Sequence, residues 1–287
     1  TSLNVDIPGP SAPFSGLIPQ NRTQGNLNLR PEKADTFTLG AVFQPRAIPG
    51  LRASVDYYNI DLRDAIDSLS AATIGTLCTN GDLTFCSFIT TNAAGVPTGL
   101  FTGFRNYGSF KTQGLDMAVS YRMSLGGGTS LTTRISGTYA LHSYVNAGTP
   151  GAPTIDRAGE NGQGNLGALP RFRGNLTETL ETGPFTLSAQ VLFISAGKND
   201  NLYTTQRDAN GLWGPLSITD NSVPAAAYIN LFSSVKVTDR FEFGLNIDNL
   251  LDKDPPFVPY QTQGQYTSGA YYDKIGRTFE VTARAKF

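Results

Sequence analysis

The stretch Phe279-Glu280-Val281-Thr282-Ala283-Arg284-Ala285-Lys286-Phe287, which ends the chain, alternates apolar and polar side chains. Successive side chains of a β-strand point to opposite faces of a sheet, so this alternation predicts a strand with one apolar and one charged face. In an α-helix the same sequence would spread its charges around the whole circumference. The C-terminal residues therefore predict β-structure.

Eight further segments show the same period, which gives nine predicted strands. Leu115, Met117, Val119 and Tyr121, for example, alternate with small or charged residues. The predicted strands span about 35–44, 50–61, 114–123, 129–142, 171–181, 184–194, 226–237, 241–248 and 276–287. Glu178 departs from the pattern because it lies on the apolar side of its strand. The sequence thus predicts an all-β protein.

The connections between the predicted strands alternate between short and long. Short connections lie at 45–49, 125–128, 181–183 and 238–240, and long ones rich in Gly, Asn, Thr and Pro lie at about 62–105, 143–169, 195–225 and 250–274. This order is typical of an antiparallel up-and-down β-barrel with tight turns at one rim and large loops at the other.

Strand length favours a membrane barrel over a soluble sheet. Strands of soluble proteins are mostly about five or six residues long, whereas a strand tilted across a bilayer needs about 9–11, which most of these segments reach. The apolar faces then contact lipid and the charged faces line a watery lumen. The predicted lumen-lining charges are Asp56, Asp116, Arg122, Arg134, Arg171, Arg173, Glu242, Asp248 and Arg284. The alternative is a soluble β-sandwich binding module whose apolar face is a core.

Composition excludes several functional classes. The chain has 22 Lys and Arg against 23 Asp and Glu, so it lacks the positive surplus that a nucleic-acid-binding protein needs. With one histidine, His142, and two cysteines, we predict neither a metal site nor a cofactor. We also predict no enzyme: no serine lies in a G-x-S-x-G motif, and a hydrolase site would have to pair His142 with a loop aspartate and serine.

Five motifs, in a fixed order along the chain, carry a resemblance to a known family. They are NLNLRPEKADTFTLG at 26–40, SVDYYNI at 54–60, NYGSFKTQGLD at 106–116, NIDNLLDKDPP at 246–256 and IGRTF at 275–279. Each is similar to a strand or strand start of TonB-dependent outer-membrane receptors, with Leu251 where the family pattern has phenylalanine. The resemblance covers about residue 26 to the last residue.

The resemblance implies a location in the bacterial outer membrane and a barrel of roughly 22 strands around a plug domain. Nine strands are under half of such a barrel, so we interpret residues 1–287 as the C-terminal part of a receptor barrel, with the plug domain and the TonB box absent. The implied function is TonB-energised uptake of a scarce nutrient, either a ferric siderophore or a carbohydrate. The TonB complex would be engaged through the missing N-terminal part. The alternative within the membrane is a passive, porin-like or structural barrel.

Receptors of this family take their ligand contacts from outer loops and lumen-facing residues. The resemblance therefore points to aromatic residues of the long loops and to two arginines of the lumen face as ligand-binding candidates. These are Tyr203, Trp213, Tyr260, Tyr266, Arg171 and Arg173. Aromatic residues near a barrel rim also form the interfacial girdle or pack within loops, and the arginines also suit an ion pair with a plug, so both interpretations stay open.

Two further features follow from the outer-membrane interpretation. Cys78 and Cys86 lie in the longest loop, where an oxidising compartment favours a disulfide, with free thiols or a redox pair as alternatives. The apolar side of the last strand, ending in an aromatic residue, resembles the signal read by the barrel assembly machinery. Its residues are Phe279, Val281, Ala283, Ala285 and Phe287.

Overall fold

A computed structural model describes residues 21–23, 25–68, 74–75, 78, 83–94, 96–146, 153–162, 167–212, 217–258 and 267–286. The elements are β1 (Asn21–Thr23), β2 (Lys33–Phe43), β3 (Leu51–Ser68), α1 (Leu83–Cys86), β4 (Ile89–Thr91), β5 (Pro97–Thr102), β6 (Phe104–Gly126), β7 (Thr129–Asn146), β8 (Ile155–Asp156), β9 (Phe172–Thr182), β10 (Phe185–Ile194), β11 (Gly197–Lys198), β12 (Ser222–Val223), β13 (Ala226–Lys236), β14 (Phe241–Asp248) and β15 (Thr278–Ala285). None of the helical segments in these ranges has the length and apolarity of a membrane-crossing helix.

Nine of the strands form one continuous path in chain order, β2-β3-β6-β7-β9-β10-β13-β14-β15, and β8 pairs with β7 beside it. These nine are the nine predicted strands, so the all-β, antiparallel architecture is confirmed. β2 and β15 end the path and have no second neighbouring strand among the described residues. This stretch of chain therefore forms an open barrel wall and does not close a barrel by itself.

The register shows how the chain folds back at the predicted tight turns. Thr182 pairs with Phe185 across the turn between β9 and β10, and Gly183 in that turn has a φ of +52°, a conformation that suits glycine. β7 and β9 pair over eleven residues, from Thr129↔Thr182 to Tyr139↔Phe172. Eleven residues match the length that a tilted strand needs to cross a bilayer, about 9–11.

The two faces of the sheet differ as the alternation predicts. Leu187 is opposite Leu180 on one side and Ser233 on the other, and its side chain is 44% exposed. Other large apolar side chains on the same face are also exposed: Phe37, Leu39, Phe43, Val55, Ile135, Phe185, Phe243, Leu245, Phe279 and Val281. A soluble sandwich would bury this face as its core. The exposed apolar band fits lipid contact and contradicts the sandwich alternative.

Glu178, the exception in the pattern, keeps its place on this apolar face. It is half-buried, pairs with Thr133 and Ala189 in the register, and accepts a hydrogen bond from the Thr133 hydroxyl at 2.9 Å. The neighbouring strand therefore supplies a donor for the carboxylate.

The chain divides into two compact units. One comprises Thr36–Ile60, Lys111–Val145 and Ile155–Phe287, and the described residues of the remainder form the other. The second unit contains a small sheet in which β5 pairs with β1 and β4, and its buried apolar side chains include Phe85, Phe88 and Leu100. The predicted disulfide between Cys78 and Cys86 is present there, with the two Cα atoms 4.7 Å apart.

The first unit has an apolar core at the long-loop end of the sheet. Ile194, Ala226 and Tyr228, at the ends of β10 and β13, pack with Val223 of β12 and with Val258 and Tyr272 from the loop between β14 and β15. The core thus fixes the loops against the strand ends that surround the site described next.

Candidate ligand groove

A groove of about 850 Å³ lies on the polar face of the first unit. Its walls come from β3, β6, β7, β9, β10, β13 and β14, and residues 270–278 form its remaining side. Side chains with the chemistry to contact a ligand include Asp56, Asp116, Arg173, Tyr228, Asp248 and Tyr271. All of them belong to one compact unit. We call this feature the lumen groove.

The strand period places polar groups in the lumen groove. Thr138 on β7 donates a hydrogen bond to Asp116 on β6 at 2.6 Å, and Asn175 on β9 donates one to Ser136 at 2.9 Å. These cross-strand bonds hold the polar side chains of adjacent strands in place, because each donor lies opposite an acceptor on the same face.

Carboxylates dominate the charge of the lumen groove. Among the residues that the structure describes, Asp56, Asp116, Asp248 and Asp273 line it together with one cationic side chain, Arg173. Among the described residues, none of these four aspartates forms a salt bridge with a lysine or arginine. The charged groups of the groove are therefore mainly acidic, while apolar side chains such as Leu192 and Ile194 and the rings of Tyr228 and Tyr271 supply the larger part of its lining.

The loop between β14 and β15 is held to the groove by Asn249, which is 2% exposed. The Asn249 backbone N–H donates to the Asn230 side chain at 2.9 Å. The Asn249 side chain donates to the Lys253 carbonyl at 3.0 Å and to Asp273 at 2.8 Å. A φ of +50° at Asn249 turns the chain out of β14. One buried amide thus positions two segments of the loop.

Two neighbouring tyrosines of this loop reach another part of the same unit. The Tyr271 hydroxyl donates to the Ala168 carbonyl at 2.6 Å, and the Tyr272 hydroxyl accepts from the Asn161 amide at 3.0 Å. Burial raises the pKa of Tyr272 to about 12, so the hydroxyl stays neutral at physiological pH. These bonds fasten residues 271–272 to the segment that follows β8.

An ion network braces the segment that follows β8. Arg157 donates to both carboxylate oxygens of Glu160, at 2.9 and 3.0 Å, and to Asp200 at 3.3 Å. Glu160 is fully buried, and its Oε1 also accepts from the Asn201 backbone N–H at 2.8 Å. A buried carboxylate needs such partners, so the network stabilises the contact between the two loops.

Comparisons with known proteins agree with this architecture. The sequence profile of the family described as "TonB dependent receptor-like, beta-barrel" matches residues 4–250. The chain belongs to this family. The outer membrane of Gram-negative bacteria is where receptors of this family lie, and the predicted localisation is confirmed.

Solved structures with the same fold include other outer-membrane receptors. A point variant of the ferric enterobactin receptor PfeA from Pseudomonas aeruginosa is 18% identical, with 92% of this chain and 32% of that chain covered and a TM-score of 0.58. The outer-membrane transporter YddB from Escherichia coli is 14% identical, with coverages of 93% and 34% and a TM-score of 0.61. The siderophore receptor PirA from Acinetobacter baumannii is 15% identical, with coverages of 99% and 36% and a TM-score of 0.58. The chain spans about a third of the length of these structures. No curated protein matches the chain.

Two motifs of this TonB-dependent receptor chain have structural roles. In the motif at 26–40, the Glu32 carboxylate accepts from the Ile66 backbone N–H at 2.7 Å, and the Arg30 backbone N–H donates to the Asn106 side chain at 2.9 Å. In the motif at 246–256, Asp252 accepts from the Arg277 backbone N–H at 2.8 Å. These motif residues fix strand ends to one another.

The ligand-binding candidates of the receptor chain fall in different places. Arg173 lines the lumen groove. Arg171 is half-buried and donates to the carbonyls of Ala140, Leu141 and Ala158 at 3.1, 2.7 and 2.9 Å, so its guanidinium is engaged by backbone. Tyr203 does not line the groove, and its carbonyl accepts from Asn221 at 3.1 Å. Trp213, Tyr260 and Tyr266 lie outside the described residues.

The candidate assembly signal lies on the last strand of the receptor wall. Phe279, Val281, Ala283 and Ala285 share one face of β15 and pair with Ile247, Leu245, Phe243 and Phe241. Phe287 lies outside the described residues. The structure thus places these apolar side chains in one row of β15, the strand that ends the sheet path among the described residues.

The His142 ring pairs with the Asp156 carboxylate of β8. Its Nδ1 lies 2.7 Å from Asp156 Oδ2, and Asp156 Oδ1 accepts from the backbone N–H groups of Ser143 and Ala158. Burial raises the pKa of Asp156, but these hydrogen bonds outweigh it and hold the pKa below its ordinary value. The buried Ser143 hydroxyl donates to the Gly167 carbonyl at 2.6 Å and not to His142. The Ser143 hydroxyl is thus bonded to backbone, and the His142 ring is paired with Asp156.

Sequence reasoning missed Tyr228 and Asn230 as groove residues. Both lie on β13, where the prediction used the apolar residues Ile229 and Leu231 of the other face. The sequence signal for this role was the ring of Tyr228 and the amide of Asn230, which alternate with the apolar residues and so lie on the lumen side of β13. Their role depends on loop 249–277, whose path the strand period does not predict.

Proposed function

We propose that the chain works in TonB-energised uptake of a small, scarce nutrient across the outer membrane, with the lumen groove as part of the surface that captures it. One observation carries this proposal: the sheet has an exposed apolar band on one face and a polar groove on the other. A membrane protein with that division offers an aqueous path lined by hydrogen-bonding groups. Family membership supports the same function.

The groove has the chemistry of a small-molecule site. Its volume lies within the range of about 300–1,000 Å³ that is common for ligand pockets, and it combines apolar side chains with a few polar groups. Tyr228 and Tyr271 offer ring faces and hydroxyls, and Asn230 offers an amide. PfeA and PirA are named as receptors for ferric enterobactin and for a siderophore. A ferric siderophore and a carbohydrate are the two nutrient classes we consider.

Two protein partners complete the proposal. The TonB complex supplies the energy that releases the captured nutrient to the cell interior. The barrel assembly machinery recognises the apolar row Phe279, Val281, Ala283, Ala285 and Phe287 on the last strand. The arrangement of Phe279, Val281, Ala283 and Ala285 in one apolar row of β15 supports recognition of this strand.

Nutrient uptake by cells that carry or lack the gene tests the proposal. Cells are grown under iron limitation or on oligosaccharides as the carbon source, with and without a functional TonB protein. We expect uptake of one nutrient class to require both the gene and TonB. Gene-dependent uptake that persists without TonB would indicate a passive porin, and no gene-dependent uptake would contradict the transport function.

A further inference from the structure

Glu178 places a carboxyl group in the middle of the apolar face of the wall. Its register partner on β10 is Ala189, which lies midway between Phe185 and Phe193, the exposed aromatic residues at the two ends of that face. Four residues of a strand tilted by about 40° span about 10 Å along the membrane normal. A glutamate side chain is shorter than this, so the carboxyl group cannot reach the headgroup layer.

Aliphatic side chains surround Glu178 and its hydrogen-bond donor. Thr133 on β7 is opposite Glu178 on β9 and donates to its Oε2 at 2.9 Å. The next pairs on the same face, on either side of this one, are aliphatic. We call these six residues the Glu178 patch: Leu131↔Leu180, Thr133↔Glu178 and Ile135↔Leu176. A polar pair ringed by aliphatic side chains is the layout of a protein interface with a desolvated centre.

The Glu178 carboxyl group has more hydrogen-bonding capacity than its own wall supplies. Among the described residues, Thr133 gives it one hydrogen bond, and the same face of β7, β9, β10 and β13 carries no lysine or arginine. A polar group in hydrocarbon is costly unless it is paired, and a lipid tail offers no donor. The position therefore favours a further partner on the membrane side.

The rest of the receptor barrel does not supply that partner. β9 is the central strand of the nine-stranded path and already has β7 and β10 as neighbours. Strands that extend the wall join it at β2 and β15, four strands away on either side. A domain inside the lumen contacts the opposite face of the sheet. The Glu178 patch therefore faces the membrane whatever else the barrel contains.

We propose that the Glu178 patch is a dimerisation surface on which a second copy of the receptor docks within the membrane. Two copies with the same membrane orientation are related by a twofold axis along the membrane normal, which places each residue next to residues at its own depth. The polar pair of one copy then meets that of the other, and the aliphatic rings meet each other. This inference goes beyond nutrient uptake and depends only on the lipid-facing side of the wall.

The chemistry at the centre of the patch is self-complementary. A carboxyl group that carries its proton has one O–H donor and one carbonyl acceptor, so two Glu178 carboxyl groups across the axis satisfy each other. Thr133 keeps its own bond to Glu178 in each copy. Polar contacts of this kind stabilise interfaces within membranes. The patch is centred on β7 and β9, so β10 lies at its margin and keeps its contact with lipid.

Cysteine cross-linking of the intact receptor in outer membranes tests the inference. Ile135, on the rim of the patch and 47% exposed, is replaced by cysteine, and copper phenanthroline oxidises pairs of nearby thiols to disulfides. We expect a disulfide-linked species of twice the receptor's mass on non-reducing gels. The matched control is Leu245→Cys on the same face of β14, four strands and about 19 Å from β7, which should give at least about fivefold less of that species.

Two variants at position 178, each combined with Ile135→Cys, connect the dimer to the carboxyl group. Glu178→Leu adds an apolar residue to a lipid-facing position, so the barrel should fold, as heat-modifiable migration verifies. The cross-linked fraction should nevertheless fall at least about fivefold. Glu178→Gln keeps a donor and an acceptor and should retain most of the cross-linked species.

Several results would overturn the inference. They are equal cross-linking at Leu245→Cys and Ile135→Cys, no cross-link at all, a cross-linked fraction that is unchanged in Glu178→Leu, or one that falls as far in Glu178→Gln as in Glu178→Leu. Cross-links of Ile135→Cys only to a protein of another mass would also overturn it and would assign the patch to a different membrane protein. Nutrient uptake by cells is a separate measurement, so failure of the dimer leaves the proposed function intact.

Discussion

Single buried polar side chains hold the long-loop end of the receptor wall together. Asn249 bonds with Asn230, Lys253 and Asp273, and Arg157 bonds with Glu160 and Asp200. Each of these side chains connects segments that are distant in sequence. A buried polar group without its partner costs about 1–3 kcal/mol, so these residues decide whether the loops stay ordered.

Two variants of Asn249 distinguish the contribution of its side-chain hydrogen bonds to stability from that of its backbone conformation. Asn249→Ala loses the side-chain bonds and keeps a residue with a Cβ at a φ of +50°, so we expect the free energy of unfolding to fall by about 3 kcal/mol. Asn249→Gly loses the same bonds without the steric cost and should be about 1 kcal/mol more stable than the alanine variant. Urea unfolding of the protein in lipid vesicles measures both, and equal stabilities of wild type and alanine variant would contradict the role.

The pair of His142 and Asp156 predicts acid sensitivity of β8. The pKa of Asp156 is lower in the folded protein than its ordinary value of 3.8, so the carboxylate stabilises the fold above that pH. This contribution is lost as the pH falls through the lowered pKa. We expect amide protons near Ala158 to lose protection from hydrogen exchange below about pH 3.8.

The matched control for this pH effect is Asp156→Asn, which retains an oxygen acceptor and cannot ionise. Its protection near Ala158 should not respond to pH over the same range, after correction for intrinsic exchange rates. A response of equal size in wild type and variant would assign the acid sensitivity to another group.

At the residue scale, alternation predicts the face of a side chain but not its partner. It predicts Arg171 and Arg173 on the lumen side, and in the structure Arg173 lines the lumen groove whereas Arg171, the residue before β9, does not. The distinction between them depends on the carbonyls of Ala140, Leu141 and Ala158, to which Arg171 donates. Those contacts come from a neighbouring strand and a loop, which a local period does not encode.

At the element scale, the strands of the wall were predictable because their period of two is a local property. All nine predicted strands are present in the sheet. β3 and β6 extend beyond their predicted bounds, to Leu51–Ser68 and Phe104–Gly126. The outer ends of both strands do not alternate apolar and polar residues, so the period of two does not predict them. The short strands β4, β5, β8, β11 and β12 lie in segments predicted as loops. β4 pairs with β5 and β11 with β12, each pair within one predicted loop, and β8 pairs with β7 of the wall, so pairing and not alternation defines these strands.

Arginine substitutions on the two faces of β10 test the assignment of those faces. Leu187→Arg places a charge on the lipid face and should reduce the free energy of unfolding by about 2 kcal/mol. Ser188→Arg places the same charge on the polar face and should change it by less than about 1 kcal/mol, the worth of the hydrogen bond between Ser188 and Thr179. Unfolding in lipid vesicles measures the difference, and a larger effect at position 188 would contradict the assignment.

At the scale of the whole molecule, the chain combines a membrane wall with a small disulfide-containing unit. Each has its own apolar core, around Tyr228 and Tyr272 in one and around Phe88 and Leu100 in the other. The wall was predictable from period, strand length and turn spacing. The small unit was predictable only as a loop with a disulfide, because its fold depends on contacts among Gly-, Thr- and Asn-rich segments without a clear period.

Removal of the disulfide should affect the small unit alone. The loop that Cys78 and Cys86 close is short, so its loss destabilises that unit by about 2–3 kcal/mol. In the variant Cys78→Ala with Cys86→Ala, we expect faster proteolysis within residues 83–102 and unchanged heat-modifiable migration of the barrel. Loss of heat-modifiable migration would show that folding of the wall depends on the disulfide.

The central claim is that one face of the sheet contacts lipid and the other lines the lumen groove. Nitroxide labels at single cysteines introduced along residues 186–192 of β10, in the intact protein in lipid vesicles, test it most directly. Collision with apolar oxygen should peak at 187, 189 and 191, and collision with a water-soluble nickel chelate should peak at 186, 188, 190 and 192. Collision rates without this alternation, or oxygen peaks at the even positions, would contradict the account.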